Sequence, residues 1–208
     1  MIESHKSSLP GPDDVALRRL DNGILLAARE NFVSPSVIVR GLLEVGAMDE
    51  PPEQAGLASM VATLLTRGTT KRDYDELNEI IESVGASLGI GGRTHTSSAS
   101  AKSLAEDFPT ILALLGEVLR HPTFPADHLE RVRNQRITAL RERQNNTRAV
   151  AELTFYESAY PPGHPYHSSS AGYPETIEAI SRDDLVAFHR RHYGPTEAIF
   201  VVVGAVPQ

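Results

Sequence analysis

Hydrophobic and polar residues follow two different periods along the chain, and each period predicts an element. Two short extended runs, 15–20 and 24–29, flank Asp21-Asn22-Gly23, and Asn-Gly between apolar runs is a strong hairpin signal. A third strand is expected at 36–45, where Val37, Val39 and Leu43 alternate with polar positions. Asp49-Glu50-Pro51-Pro52 ends it, and the pattern then turns helical over 56–65 and again over 73–84, where Leu77, Ile80, Ile81 and Val84 share one face.

Residues 87–104 are too rich in Gly, Ser and Thr for a helix and read as two strand segments joined near Gly91-Gly92. Helices are expected at 108–119, at 125–144 with a heavily charged outer face, at 149–160, and at 182–192 behind a capping signal at Ser181. The last run, AIFVVVGAV at 198–206, is almost continuously apolar and predicts a central strand. Strands, helices, strands, helices and a strand in that order make an α+β fold, an antiparallel or mixed sheet with helices packed on one face. With no internal repeat and no second linker, residues 15–208 are expected to form one domain behind a flexible lead-in, 1–14, rich in Pro, Ser, Gly and Asp.

Composition narrows the possibilities. The 208 residues are 40% hydrophobic, enough for one fair-sized core, and the net charge of −7 argues against a nucleic-acid partner, whose phosphates call for a basic surface. The absence of cysteine excludes disulfides, thiolate metal sites and a cysteine nucleophile. No apolar run reaches membrane-spanning length, and the polar start MIESHKSSLPGPDD has no signal-peptide core, so the chain reads as soluble with its compartment undetermined.

Several separated segments are similar to one known family. They are LDNGILLAARE (20–30), GAMDEPPEQAGLA (46–58), RGTTKRDYDELNEIIESVGASL (67–88), LRHPTFPADHLERVR (119–133), YPPGHPYHSSSAGYPETIEAISRDDLVAFHRRHYGP (160–195) and VVVGAV (201–206). Together they resemble the insulinase/pitrilysin zinc peptidases, the group that includes the mitochondrial processing peptidases. The resemblance implies a layered α/β unit that occurs twice per chain, the two units facing each other across a cavity. This chain is then one half of a longer one, or a single-unit protein.

In that family zinc is held by an inverted His-x-x-Glu-His motif on the helix after Gly-Leu-Ala, because positions i and i+4 stack two imidazoles on one metal. Laid on GLASMVATLLTRGT (56–69), the two histidine positions are Ser59 and Thr63, and the catalytic glutamate position is Ala62. The third ligand, a glutamate on a later helix, falls near Arg136-Ile137-Thr138-Ala139-Leu140, with Ala139 the nearest match and Glu142 facing elsewhere. Hydroxyls are poor neutral zinc ligands and alanine cannot act as a base, so no catalytic residue, no metal ligand and no cofactor is expected.

Other groups offer no replacement. His164 and His167, and likewise His189 and His192, have i,i+3 spacing, but the first pair belongs to the family's ordinary loop and Arg190 and Arg191 would repel a cation from the second. His95 is expected on a polar strand face. Active relatives bind extended peptides at the strand matching SLGIGGRTHTSS, so Gly89, Gly91, Gly92, Arg93 and His95 are candidates for a peptide-binding edge; a bulge or sheet corner is the equal alternative.

The resemblance therefore points to a non-catalytic subunit or half-chain that helps form a peptide-binding chamber. Its expected partners are a second unit of a longer chain, a zinc-bearing paralogous subunit, or both, with peptide as the ligand. The alternatives are a structural or assembly subunit, or a zinc metallopeptidase whose site is completed elsewhere. An exposed apolar face around Leu57, Met60, Val61, Leu64 and Leu65 would favour interaction in either role.

Overall fold

The computed structural model of the protein describes residues 11–206. The expected lead-in therefore lies mostly outside the described residues; within it, Pro12–Asp14 form a 3-10 turn. Strands β1 (Ala16–Arg19) and β2 (Leu25–Glu30) form the antiparallel hairpin around Asn22-Gly23, where the positive φ of Gly23 (94°) suits glycine. Strand β3 (Ser36–Leu43) follows, and two 3-10 turns, Ala47–Asp49 and Pro52–Gln54, lead into helix α1 (Leu57–Leu64).

Helix α2 (Tyr74–Ser83) begins with a capping box, since Asp73 accepts from the Glu76 amide while Glu76 accepts from that of Asp73. Strands β4 (Ser87–Gly92) and β5 (Ser97–Leu104) form the second hairpin. The expected junction near Gly91-Gly92 is displaced: both glycines lie inside β4, and the chain turns at 93–96. A cross-strand ladder pairs Gly91 with Ser98 and Gly92 with Ser97, which carries the strand past the glycines.

Helices α3 (Phe108–Arg120), α4 (Ala126–Arg143), α5 (Thr147–Ala159), α6 (Pro174–Ala179) and α7 (Arg182–His192) complete the helical layer. Strand β6 (Ile199–Gly204) closes the chain inside the sheet, parallel to β2 and antiparallel to β3. The order is β1-β2-β6-β3-β5-β4, an open mixed sheet with β1 and β4 at its edges.

The period-2 pattern decides which sheet face carries the helices. Val37, Val39, Gly41 and Leu43 of β3 and Ser97, Ala99, Ala101 and Ser103 of β5 are buried, whereas Ile38, Arg40, Leu42 and Lys102 between them are exposed. The buried face meets α1, whose Leu57, Met60, Val61 and Leu64 join one core with Ile111, Leu115, Phe124 and Leu185.

The apolar face of α1 is therefore not an exposed one. Leu57, Met60, Val61, Leu64 and Leu65 are all at most 2% exposed, because the sheet, α4 and α7 pack around α1. A helix that is apolar on most sides is a core helix, and its hydrophobicity is no sign of docking. Leu64→Ala is expected to lower unfolding free energy by about 2–5 kcal/mol through the cavity it leaves. Urea denaturation would measure this, and a loss below about 0.5 kcal/mol, typical of surface positions, would contradict the packing described.

Candidate functional site

Helix α1 is set in place from its N-terminus. The Glu50 carboxylate accepts hydrogen bonds from the amides of Gly56 (2.8 Å) and Ala58 (2.7 Å), the first orphan donors of the helix. Burial nevertheless pushes the Glu50 carboxyl up to about 7, with the neighbouring charge of Asp49 adding to the rise and the amides opposing it. Gly56 has φ 97°, and a Cβ there would come within 2.6 Å of Ile177 Cδ1, so only glycine permits the entry.

Helix α4 crosses α1 and is fastened to α6. Arg133 donates to the carbonyls of Ile177, Glu178 and Ile180, the C-terminal end of α6, where cations are favoured. One turn further along α4, Arg136 turns its guanidinium onto α1. Its Nη1 donates to Ser59 Oγ at 2.9 Å and its Nη2 to Thr63 Oγ1 at 3.2 Å; Thr63 Oγ1 in turn donates to the Ser59 carbonyl at 2.8 Å. Burial lowers the Arg136 pKa from its ordinary value, but a guanidinium remains charged at neutral pH.

Ser59 and Thr63 thus stand together as an i,i+4 pair, bridged by Arg136. Ala62 is buried and carries no polar group. Ala139 is exposed on α4, and the α4 side chain that reaches α1 is Arg136. Its exposure separates Ala139 from the buried contact positions Leu129, Val132 and Leu140, among which Arg136 reaches α1. That set of positions was the available signal: a lone arginine at core spacing. This donor set, two neutral hydroxyls with a fixed cation between them, does not suit Zn²⁺. Among the described residues no group of three or more His, Asp or Glu side chains is placed to hold a metal ion.

The candidate edge residues separate into distinct environments. Gly89 and Gly91 lie in β4, the last strand of the sheet, so one side of the strand has no partner strand among the described residues. Gly92 is taken up by the protein itself: a Cβ there would sit 3.1 Å from the Ala58 carbonyl oxygen and 3.2 Å from Ser59 Cα. Arg93 is in the turn, its carbonyl accepting from the Ala47 amide at 3.0 Å. His95 is not on a strand face but in the same turn, where its Nε2 pairs with Tyr166 Oη at 2.6 Å.

That contact opens onto features the sequence did not reveal. Tyr156, Tyr160, His164 and Tyr166 form a chain of ring contacts, with centroids of Tyr160 and His164 4.6 Å apart. His95, Arg143, Glu152, Tyr156, Tyr160 and Tyr166 line a cavity of about 530 Å³ between the β4–β5 turn and α5. His164 and His167 are spent locally: the first accepts from the Tyr166 amide, and the second donates to the Tyr160 carbonyl. His189 donates to the Leu119 carbonyl at 2.8 Å.

A mixed six-stranded sheet carries its helices on one face, and α1 presents Ser59, Ala62 and Thr63 where the sequence resemblance would put metal ligands and a base. The chain belongs to the insulinase family, peptidase family M16, whose model matches residues 26–165. It is 24% identical over 203 residues to cytochrome b-c1 complex subunit 1 of Bos taurus, covering 98% of this chain and 42% of that one. It is 28% identical over 191 residues to the mitochondrial-processing peptidase subunit beta of Neurospora crassa, covering 90% of this chain and 39% of the relative. Among solved structures, a peptidase M16 inactive domain from Pseudomonas fluorescens superposes with a TM-score of 0.87 at 26% identity, covering 93% of this chain and 47% of that one. The chain therefore spans about two fifths of the length of these curated relatives. Among the described residues no helix is long and apolar enough to cross a membrane.

Glu50 makes the site pH-sensitive. A folded-state pKa near 7, above the ordinary 4.5, means that the folded protein holds this proton more tightly than the unfolded chain does. The resulting stability is complete below pH 4.5 and is lost as pH rises through 7. Glu50→Gln removes the titration, so the melting temperature of the wild type should fall relative to the variant between those limits. Parallel melting curves of the two proteins across that range would refute the assignment.

Proposed function

We propose that the chain is a non-catalytic M16 unit that binds no zinc of its own and forms one wall of a peptide-binding chamber, completed by a second unit or by a zinc-bearing paralogous subunit. The observation that carries this reading is the Arg136 fork on Ser59 and Thr63. It sets a cation where zinc-dependent chemistry needs a ligand pair, and Ala62 supplies no base beside it. The free side of β4 offers backbone groups for strand addition by a peptide, with Gly89 and Gly91 presenting no side chains, and the aromatic cavity lies beyond the β4–β5 turn.

A second reading has one observation in its favour. The relative named cytochrome b-c1 complex subunit 1 bears the name of a respiratory-complex subunit rather than a peptidase, which supports an assembly role without proteolysis.

Metal analysis and peptidase assays on the isolated chain, then on a mixture with a zinc-bearing paralogue, separate these cases. The chamber reading expects no stoichiometric zinc after incubation with zinc salt and dialysis, no cleavage by the chain alone, and cleavage that rises in the mixture. Stoichiometric zinc in the isolated chain would overturn the non-catalytic assignment. A mixture no more active than the paralogue alone would favour the assembly role.

A further inference from the structure

Arg136 carries a fixed positive charge on the outer side of α1 that nothing in the described structure neutralises. Two of its N–H bonds serve Ser59 and Thr63, and its remaining donors have no acceptor among the described residues. The ion pairs found there join Arg72 to Glu117, His128 to Asp127 and Arg133 to Glu130, and none includes Arg136. Arg136 Nε, which has no partner, is also absent from the buried unpartnered atoms, which are Arg29 Nε, Arg67 Nε and Ser103 Oγ among the described residues, so that donor reaches solvent.

A half-buried cation without a counter-ion is costly, and the cost falls when an anion completes it. The geometry is suited to one kind of anion. A planar guanidinium recognises a carboxylate through parallel N–H bonds, and the two hydroxyls on α1 hold this fork in one orientation before any ligand arrives. Its surroundings indicate what would bring that carboxylate. Gly92, the last residue of edge strand β4, lies against Ser59 and Ala62, so a chain added to the free side of β4 passes beside the same turn of α1.

We propose that Arg136, oriented by Ser59 and Thr63, is a carboxylate anchor for a peptide lying along β4. The carboxylate belongs either to the peptide C-terminus or to an acidic side chain. The proposal rests on the peptide-chamber reading, and its test keeps the two apart.

Fluorescence anisotropy with three labelled peptides provides that test. The first is Ala-Val-Thr-Val-Ser with a free C-terminal carboxylate, the second is its C-terminal amide, and the third is the amide with Glu in place of the final Ser. The wild-type chain should bind one of the two carboxylate-bearing peptides about tenfold more tightly than the plain amide, on the order of one charge-assisted hydrogen bond. The tighter of the two identifies the source of the carboxylate. Arg136→Met should erase the difference between the carboxylate-bearing peptides and the plain amide, and Arg136→Gln, which keeps a polar contact to α1, should do the same. Equal binding of all three peptides by the wild type would overturn the anchor while leaving peptide binding intact. Sodium acetate against sodium chloride, read by the NMR signal of the Arg136 side-chain N–H, isolates the anchor itself. A saturable acetate shift without binding of any peptide would keep the anchor and overturn the peptide; no acetate shift would overturn the anchor.

Discussion

An eight-residue helix buried on almost every side leaves few places for polar atoms, and α1 is such a helix. Its backbone needs an acceptor at the N-terminus, which Glu50 supplies, and its side-chain hydroxyls need partners, which Arg136 supplies. Both arrangements constrain their surroundings. Glu50 is drawn into a buried position that raises its pKa, and α4 is held at the distance that lets a guanidinium span one turn of α1.

The two faces of the chain's chemistry follow from that constraint. A helix this deep in the core remains a rigid platform after it has lost metal ligands, because its stability comes from Leu57, Met60, Val61 and Leu64 rather than from a metal. The platform is therefore free to carry another group. Arg136 links α1 to α4 by directed bonds, while Arg133 extends the same helix's grip to α6.

How much of this was legible depended on whether a feature is local in the sequence. The Asn22-Gly23 hairpin, the Ser181 cap and the apolar run of β6 are all local, and each element formed where its residues indicate. The Gly91-Gly92 pair misled, because glycine marks both turns and close approaches. Here Gly92 marks the place where β4 meets α1, and the turn begins only after it. The apolar run of α1 misled in the same way: hydrophobicity reports that a surface is covered and does not say whether the protein's own elements cover it.

The amino-acid sequence by itself determined the element order, the one-sided α+β layering and the absence of histidine and glutamate at the motif positions Ser59, Ala62 and Thr63, because periodicity and residue identity are properties of the chain. Only the tertiary structure decided what meets those positions. Residues 59 and 136 are far apart in sequence, and their pairing depends on the rotation of α4 about its axis, a quantity set by the packing of Leu129, Val132 and Leu140. The same holds for His95 and Tyr166, and for the edge position of β4 among the described residues: long-range registry, which no short window of sequence encodes, placed each of them.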